Sequence, residues 1–249
     1  MPSYKPAAAA KEMELQLKRT ARERMVNAAG VQIYNKGRDF WNKQDYDQAI
    51  QCFTQAIESN PEYKEAYAYR GDSYYVKSDY DQAIRDHNRA IEINPREAVY
   101  YSNRGNDYRE KGDWDQAIRD HNKAIELEPK NAAYYSNLGD DYYSNGDYDK
   151  SITSYGKAIE LYPKYTNALA SRAKAYRNKG DYDSAIADCN KAIEIDPKNG
   201  YPVAVLGLIY YMQGKLGQAL LQIDKSIAMK SEFYWAYWAK IGIYQEKKR

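Results

Sequence analysis

His87 and His121 are the only histidines of the chain, and they hold one position of a recurring segment, DQAIRDHN, 34 residues apart. Imidazoles so placed invite a metal site. Zinc, however, needs at least three protein ligands at about 2 Å, and helices of neighbouring pairs stand about 10 Å apart. No third histidine exists, and no carboxylate is placed by its spacing to join the two. They read as packed or partly exposed side chains, and they are the chain's whole supply of histidine for acid–base or nucleophilic work. The recurring Asp-x-Asp pairs, such as Asp79/Asp81 and Asp181/Asp183, offer calcium ligands or a carboxylate dyad on paper. Each pair opens a helical segment, where one acid caps the helix and the next complements its positive end. Cys52 and Cys189 belong to no metal-ligand spacing and read as small buried thiols of a reduced, cytoplasmic protein. No glycine-rich phosphate loop, GxSxG or HExxH occurs. No enzyme, no cofactor and no metal are expected.

Composition points the same way. Of 249 residues 43% are hydrophobic, enough to fold, but 28 are tyrosine against three phenylalanines. Mean hydropathy is −0.90, low for a deep globular core. Tyrosine buries its ring while its hydroxyl reaches water or a partner, which suits a thin structure. Residues 1–29 carry a net +3 and Glu246–Arg249 a net +2, so the chain's overall +2 leaves −3 on the body between. A mildly acidic body is a poor ligand for nucleic acid. No run approaches the 18 or so apolar residues of a membrane span. Met1 to Lys11 offers only Ala7 to Ala10 as an apolar run, too short for a secretory signal, and a chain trimmed of such a signal would read the same.

The elements that must position these residues recur. Pro61, Pro95, Pro129, Pro163 and Pro197 are each 34 residues apart, and similar segments precede them, from DYDQAIQCFTQAIESNP to DYDSAIADCNKAIEIDP. A sixth unit, KLGQALLQIDKSIAMKS, has Ser231 in the proline position. Small residues keep the same period: Gly37, Gly71, Gly105, Gly139, Ala173 and Gly207. Each unit predicts two helices. The first places Tyr101, Gly105 and Tyr108 on one face and ends near Lys111-Gly112. Asp113 caps the second, with Gln116 three residues on, as do Asp45/Gln48 and Asp79/Gln82. That helix turns Ala117, His121 and Ala124 to its neighbours and stops at Glu128-Pro129.

The pattern resembles the tetratricopeptide-repeat (TPR) family over residues 30 to about 245. The resemblance implies an all-α, right-handed α-solenoid of about six helix-turn-helix units with a concave inner face. The units are expected at 30–63, 64–97, 98–131, 132–165, 166–199 and 200–231. A basic N-terminal helix or extension occupies 1–29, where Met13, Leu15, Leu17 and Met25 would cover one end, and the helix may continue past Gly30 into the first repeat. Residues 232–249 form a capping helix and basic tail.

In this family first helices line the concave face, which implies that side chains offset from the core stripe touch a ligand. Two residues before each small residue stand Asn35, Tyr69, Asn103, Asn137, Ser171 and Val205. Asparagine can both donate to and accept from a peptide backbone; alternatively it is simply common at this position. One residue after come Arg38, Asp72, Asn106, Asp140, Lys174 and Leu208; four after come Trp41, Tyr75, Arg109, Tyr143, Arg177 and Tyr211. Ala204, Val205, Leu208, Tyr211 and Met212 suggest either an apolar pocket for a ligand side chain or a surface covered by the C-terminal cap. The expected ligand contacts are therefore Asn35, Arg38, Tyr75, Asn103 and Asn106, then Arg109, Asn137 and Tyr143, then Lys174, Arg177, Leu208, Tyr211 and Met212. The carboxylate clamp of chaperone-binding relatives is not matched: Ser102, Asn106, Asn137, Asn167 and Ser171 supply two of its asparagines and none of its cations.

The expected function is a protein-interaction adaptor that binds a protein or peptide segment, as a monomer or weak homo-oligomer. The alternative is a self-associating scaffold, because the cap holds Phe233, Tyr234, Trp235, Tyr237, Trp238 and Tyr244 where a polar end is usual. An engineered repeat protein is the remaining alternative, from which the irregularities at Ser151, Ala173 and Ser231 point away.

Overall fold

The computed structural model describes residues 28–229, together with positions 13, 16, 237, 240–242 and 244. Five of the six described second helices begin at an aspartate, and α12 begins at Lys215 without a side-chain cap. The side chains of Asp45, Asp79, Asp113, Asp147 and Asp181 accept a hydrogen bond from the backbone N–H three residues on, which satisfies one of the free donors at the helix start. The helices in chain order are α1, described over 28–42, α2 (Tyr46–Ser59), α3 (Lys64–Val76), α4 (Tyr80–Ile93), α5 (Ala98–Glu110) and α6 (Trp114–Leu127). They continue as α7 (Ala132–Ser144), α8 (Tyr148–Leu161), α9 (Thr166–Asn178), α10 (Tyr182–Ile195), α11 (Gly200–Met212) and α12 (Leu216–Ala228). The described residues contain no strand. Gly30 lies inside α1, so helix continues across it.

Two compact units arise, Met1–Lys111 and Gly112–Arg249, divided in the turn between α5 and α6. In the first unit α3 pairs with α4, and α2 and α5 pack on that pair. In the second, α7–α8, α9–α10 and α11–α12 are the close pairs, with α6 packed on α7. Short turns between packed helices make each pair antiparallel. Second helices bury one stripe, such as Ala83, His87 and Ala90 of α4. First helices are buried on more than one side. In α5, Ala98, Tyr100, Ser102, Gly105 and Asp107 are buried while Tyr101 and Tyr108 are only half-buried, a wider face than the single stripe expected from sequence. The cause is that α5 meets both α4 and α3.

Where the helices of a pair cross, a small residue faces a bulky one. A Cβ on Gly37, Gly71, Gly139 or Gly207 would come within 2.7, 2.7, 2.7 and 2.6 Å of Phe53, His87, Tyr155 and Ile223 respectively. The one alanine of the row, Ala173, shares a core cluster with Cys189, the smallest residue of the facing row. Ser151, irregular in sequence, is fully buried, and its hydroxyl donates to the Gly139 carbonyl at 2.9 Å.

The turns inside the pairs need a left-handed residue. Gly112, Gly146, Gly180 and Gly214 have φ between +71° and +81°, but Gln44 and Ser78 fill the same place with φ +62° and +61°. A side chain there costs about 1 kcal/mol against glycine. Ser78→Gly is therefore expected to raise stability by roughly 1 kcal/mol in urea melts; no gain would mean that the Ser78 side chain makes a compensating contact. Of the expected caps, Leu15, Leu17, Met25 and most of 232–249 lie outside the described residues. Met13 is helical but 68% exposed. Lys240 pairs with Asp224 of α12 at 2.6 Å, and Gly242 stands near the Tyr211 hydroxyl of α11.

Candidate functional site

Both histidines are fully buried and hold carboxylates, which corrects the expectation that none would join them. His87 Nδ1–H donates to Asp107 Oδ2 at 2.6 Å and Nε2–H to Asp72 Oδ1 at 3.2 Å. His121 Nδ1 and Asp141 Oδ2 are 2.5 Å apart. The partner lies 20 residues downstream, on the next first helix, a distance that closes only when pairs stack. A signal was available: the residues 20 after Phe53, His87, His121, Tyr155 and Cys189 are Ser73, Asp107, Asp141, Ala175 and Ile209, aspartate only opposite histidine. Burial opposes charge on His87, but its hydrogen bonds to Asp107 and Asp72 and their negative charge outweigh it and push the imidazole up to about 10. The pair is structural. Among the described residues, no three His, Cys, Asp or Glu side chains gather as a metal would require. Both cysteines are free and buried, and burial pushes the Cys189 thiol up to about 12, which makes it a poor nucleophile.

Two further ion pairs among the described residues, each with a buried aspartate and a partly exposed arginine, were missed. Arg70 forks onto Asp86 at 2.7 and 2.8 Å, and Arg172 forks onto Asp188 at the same distances. Both join a first helix to its own second helix at a spacing of 16 residues.

In the first unit a recess of about 250 Å³ is lined by Trp41, Asp72, Tyr75, Val76, Asn103, Asn106 and Asp107. All lie on first helices α1, α3 and α5. The Asn103 amide, expected to serve a ligand backbone, donates to Asp72 Oδ1 at 2.8 Å and thereby steadies the His87 network. Asn106 Oδ1 and Trp41 Nε1 are buried without a hydrogen-bond partner among the described residues.

In the second unit a recess of about 280 Å³ is lined by Lys174, Arg177, Tyr201, Val205 and Leu208. Tyr143 organises its rim. Lys174 Nζ lies 4.8 Å from the Tyr143 ring centroid and 6.0 Å from that of Tyr201. The Tyr143 hydroxyl accepts from Asn178 Nδ2 at 3.0 Å, and Asn178 Oδ1 accepts from Arg177 Nε and Nη2 at 3.2 and 2.9 Å. Asn178 went unnoticed in the sequence because it lies outside the three rows chosen.

The remaining expected contacts scatter. Asn35 and Arg38 are exposed, with the Arg38 guanidinium 5.5 Å from the Tyr69 ring centroid. Arg109 Nε stands 3.8 Å from the Glu110 carboxylate, and Asn137 is half-buried. The apolar set of α11 does not gather into one pocket. Ala204 belongs to the core, Val205 and Leu208 line the cationic recess, Tyr211 packs near Gly242 and Met212 is 59% exposed.

No described helix is long and apolar enough to cross a membrane. A search of curated proteins gives no match. Among solved structures, a tetratricopeptide repeat protein from Parabacteroides merdae superposes with a TM-score of 0.77 at 19% identity, over 89% of this chain and 88% of that one. MamA is similar at 28% identity with a TM-score of 0.59, over 65% of this chain and 95% of its own. YrrB, described as a TPR protein with an unusual peptide-binding site, matches at 24% identity with a TM-score of 0.54, over 76% and 97% of the two chains. One tetratricopeptide-repeat profile matches residues 34–98 and 136–200, and another residues 96–164. Together with the 34-residue helix pairs and the small-against-bulky crossings, this makes the chain a member of the tetratricopeptide-repeat family.

Proposed function

We propose that this chain is a non-enzymatic interaction adaptor that binds a peptide or protein segment on the face formed by its first helices. The observation that carries this reading is the lining of the two recesses. Trp41, Asp72, Tyr75, Asn103 and Asn106 in one unit, and Lys174, Arg177, Val205 and Leu208 in the other, stand two before, one after or four after a small residue. A peptide site is also the property named for YrrB, whose fold this chain shares. Binding on a pre-stacked array loses little ordering entropy. The test is to pan a random peptide library on the chain. Selected peptides should lose about tenfold or more in affinity with Tyr75→Ala/Asn106→Ala or with Lys174→Ala/Arg177→Ala, at unchanged helicity. Peptides indifferent to both double variants would place binding elsewhere.

A second reading, self-association through the C-terminal segment, is favoured by one feature. Tyr237, Ile241 and Tyr244 follow helical spacing and are each about half exposed, at 49%, 49% and 48%. Light scattering across a hundredfold concentration range separates the readings: growing mass favours a scaffold, constant monomer mass the adaptor.

A further inference from the structure

Several cations among the described residues are answered by carboxylates. Arg70 and Arg172 hold Asp86 and Asp188; Lys77, Lys111 and Lys179 reach back to Asp47, Asp81 and Asp149 of the preceding second helix. Lys174 and Arg177 differ from these. They stand three residues apart on α9, and among the described residues neither meets a carboxylate. They are nevertheless held in place. The Tyr143 ring lies against the Lys174 ammonium, while the Tyr143 hydroxyl fixes Asn178, which in turn fixes Arg177. A ring face and a neutral amide orient a cation without cancelling its charge. Beside this pair, Tyr201 and Leu208 form an apolar wall with Val205 beneath.

We propose that this recess of the second unit takes a peptide segment in which an acidic side chain stands next to a large apolar one. The proposal rests on the adaptor reading and names its ligand. The acid would accept charge-assisted hydrogen bonds from Lys174 and Arg177, and the apolar neighbour would cover Leu208 and the Tyr201 ring. A recess of about 280 Å³ suits one or two side chains rather than a whole cofactor. The occupant comes from another protein. Residues 1–29 carry net +3 and Glu246–Arg249 net +2, so these basic segments would meet Lys174 and Arg177 with like charge, which is costly at an interface.

The probe is a fluorescent peptide, acetylated and amidated at its ends, carrying Asp-Glu-Leu-Phe in a Gly-Ser background, followed by anisotropy. Binding should weaken about tenfold or more in Lys174→Ala/Arg177→Ala, and comparably when Asn-Gln replaces Asp-Glu or Ser-Ser replaces Leu-Phe. It should also weaken with added salt. Tyr143→Phe, which keeps the ring but removes the hydroxyl that anchors Asn178, should give a smaller loss at unchanged circular dichroism. Equal binding of the acidic and amide peptides, or of wild type and the double variant, overturns the proposal. So does equally tight binding of a neutral peptide with a free C-terminus, which would assign the cations to a chain end. If the acidic peptide fails while library-selected peptides still respond to Tyr75→Ala/Asn106→Ala, this ligand assignment falls and the adaptor reading stands. If no peptide binds at all, both fall.

Discussion

Asp107→Ala is expected to destabilise the first unit by about 3–5 kcal/mol, the usual cost of removing one partner from a buried charge pair. The side chain is 1% exposed and faces His87, which is wholly buried. Without Asp107 the imidazolium keeps only Asp72 at 3.2 Å, and that carboxylate is 30% exposed and partly screened. The chain itself contains a neutral alternative: opposite Ser73 stands Phe53, and the Phe53 ring lies against Gly37 as His87 lies against Gly71. The double variant His87→Phe/Asp107→Ser copies that arrangement and should therefore come close to wild-type stability near neutral pH, since exchanging a buried ion pair for packed apolar atoms is often nearly neutral. The two proteins should part company with pH. The folded state raises His87 from 6.5 to about 10, so the contribution is fully present below about pH 6.5, shrinks above it, and is gone once pH passes about 10. Urea curves at pH 6, 8 and 10 should show wild type losing ground to the double variant. Parallel pH profiles would mean that His87 is neutral when folded.

Gly139→Ala is expected to cost about 1–3 kcal/mol despite adding a single carbon, a typical penalty for overpacking. The new atom would lie 2.7 Å from the Tyr155 ring. That ring is 1% exposed and tied by its hydroxyl to Asp140 at 2.6 Å, so it has nowhere to go. The remedy is written one repeat further on, at Ala173 and Cys189, where a methyl and a small thiol share the same crossing. Tyr155→Cys alone should be costly, since it opens a cavity. Combined with Gly139→Ala it should be less costly than the two added together, with a coupling of about 1 kcal/mol or more. Urea denaturation of the four proteins measures this directly, and strict additivity would sink the account.

Most of the fold was legible because it is set locally and repeated. A proline every 34 residues ends the first five second helices, an aspartate caps each of these, and a small residue marks each crossing. The recesses were legible in part: of the residues expected to meet a ligand, Tyr75, Asn103, Asn106, Lys174, Arg177 and Leu208 line one or the other. What escaped reading depends on stacking and on rotamers. Asp107 reaches His87 only across a repeat boundary. Asn103, chosen for its freedom to bind a peptide, is turned toward Asp72 instead. Val205 lines its recess only from beneath and is 1% exposed, because α11 is buried on nearly all sides.

A chain of near copies faces a folding error that most globular proteins avoid, since one first helix can dock on another's partner. The unequal volumes at the crossings restrict that error. With Ala173 set on Tyr155 a methyl would meet a ring; with Gly139 set on Cys189 a void would open. A wrong match that involves Ala173 or Cys189 carries overlap or emptiness, and the right one carries neither. Where the facing residue differs from its neighbours, as at Phe53, Tyr155, Cys189 and Ile223, the crossing serves as an address by which a helix finds its own place in a row of look-alikes.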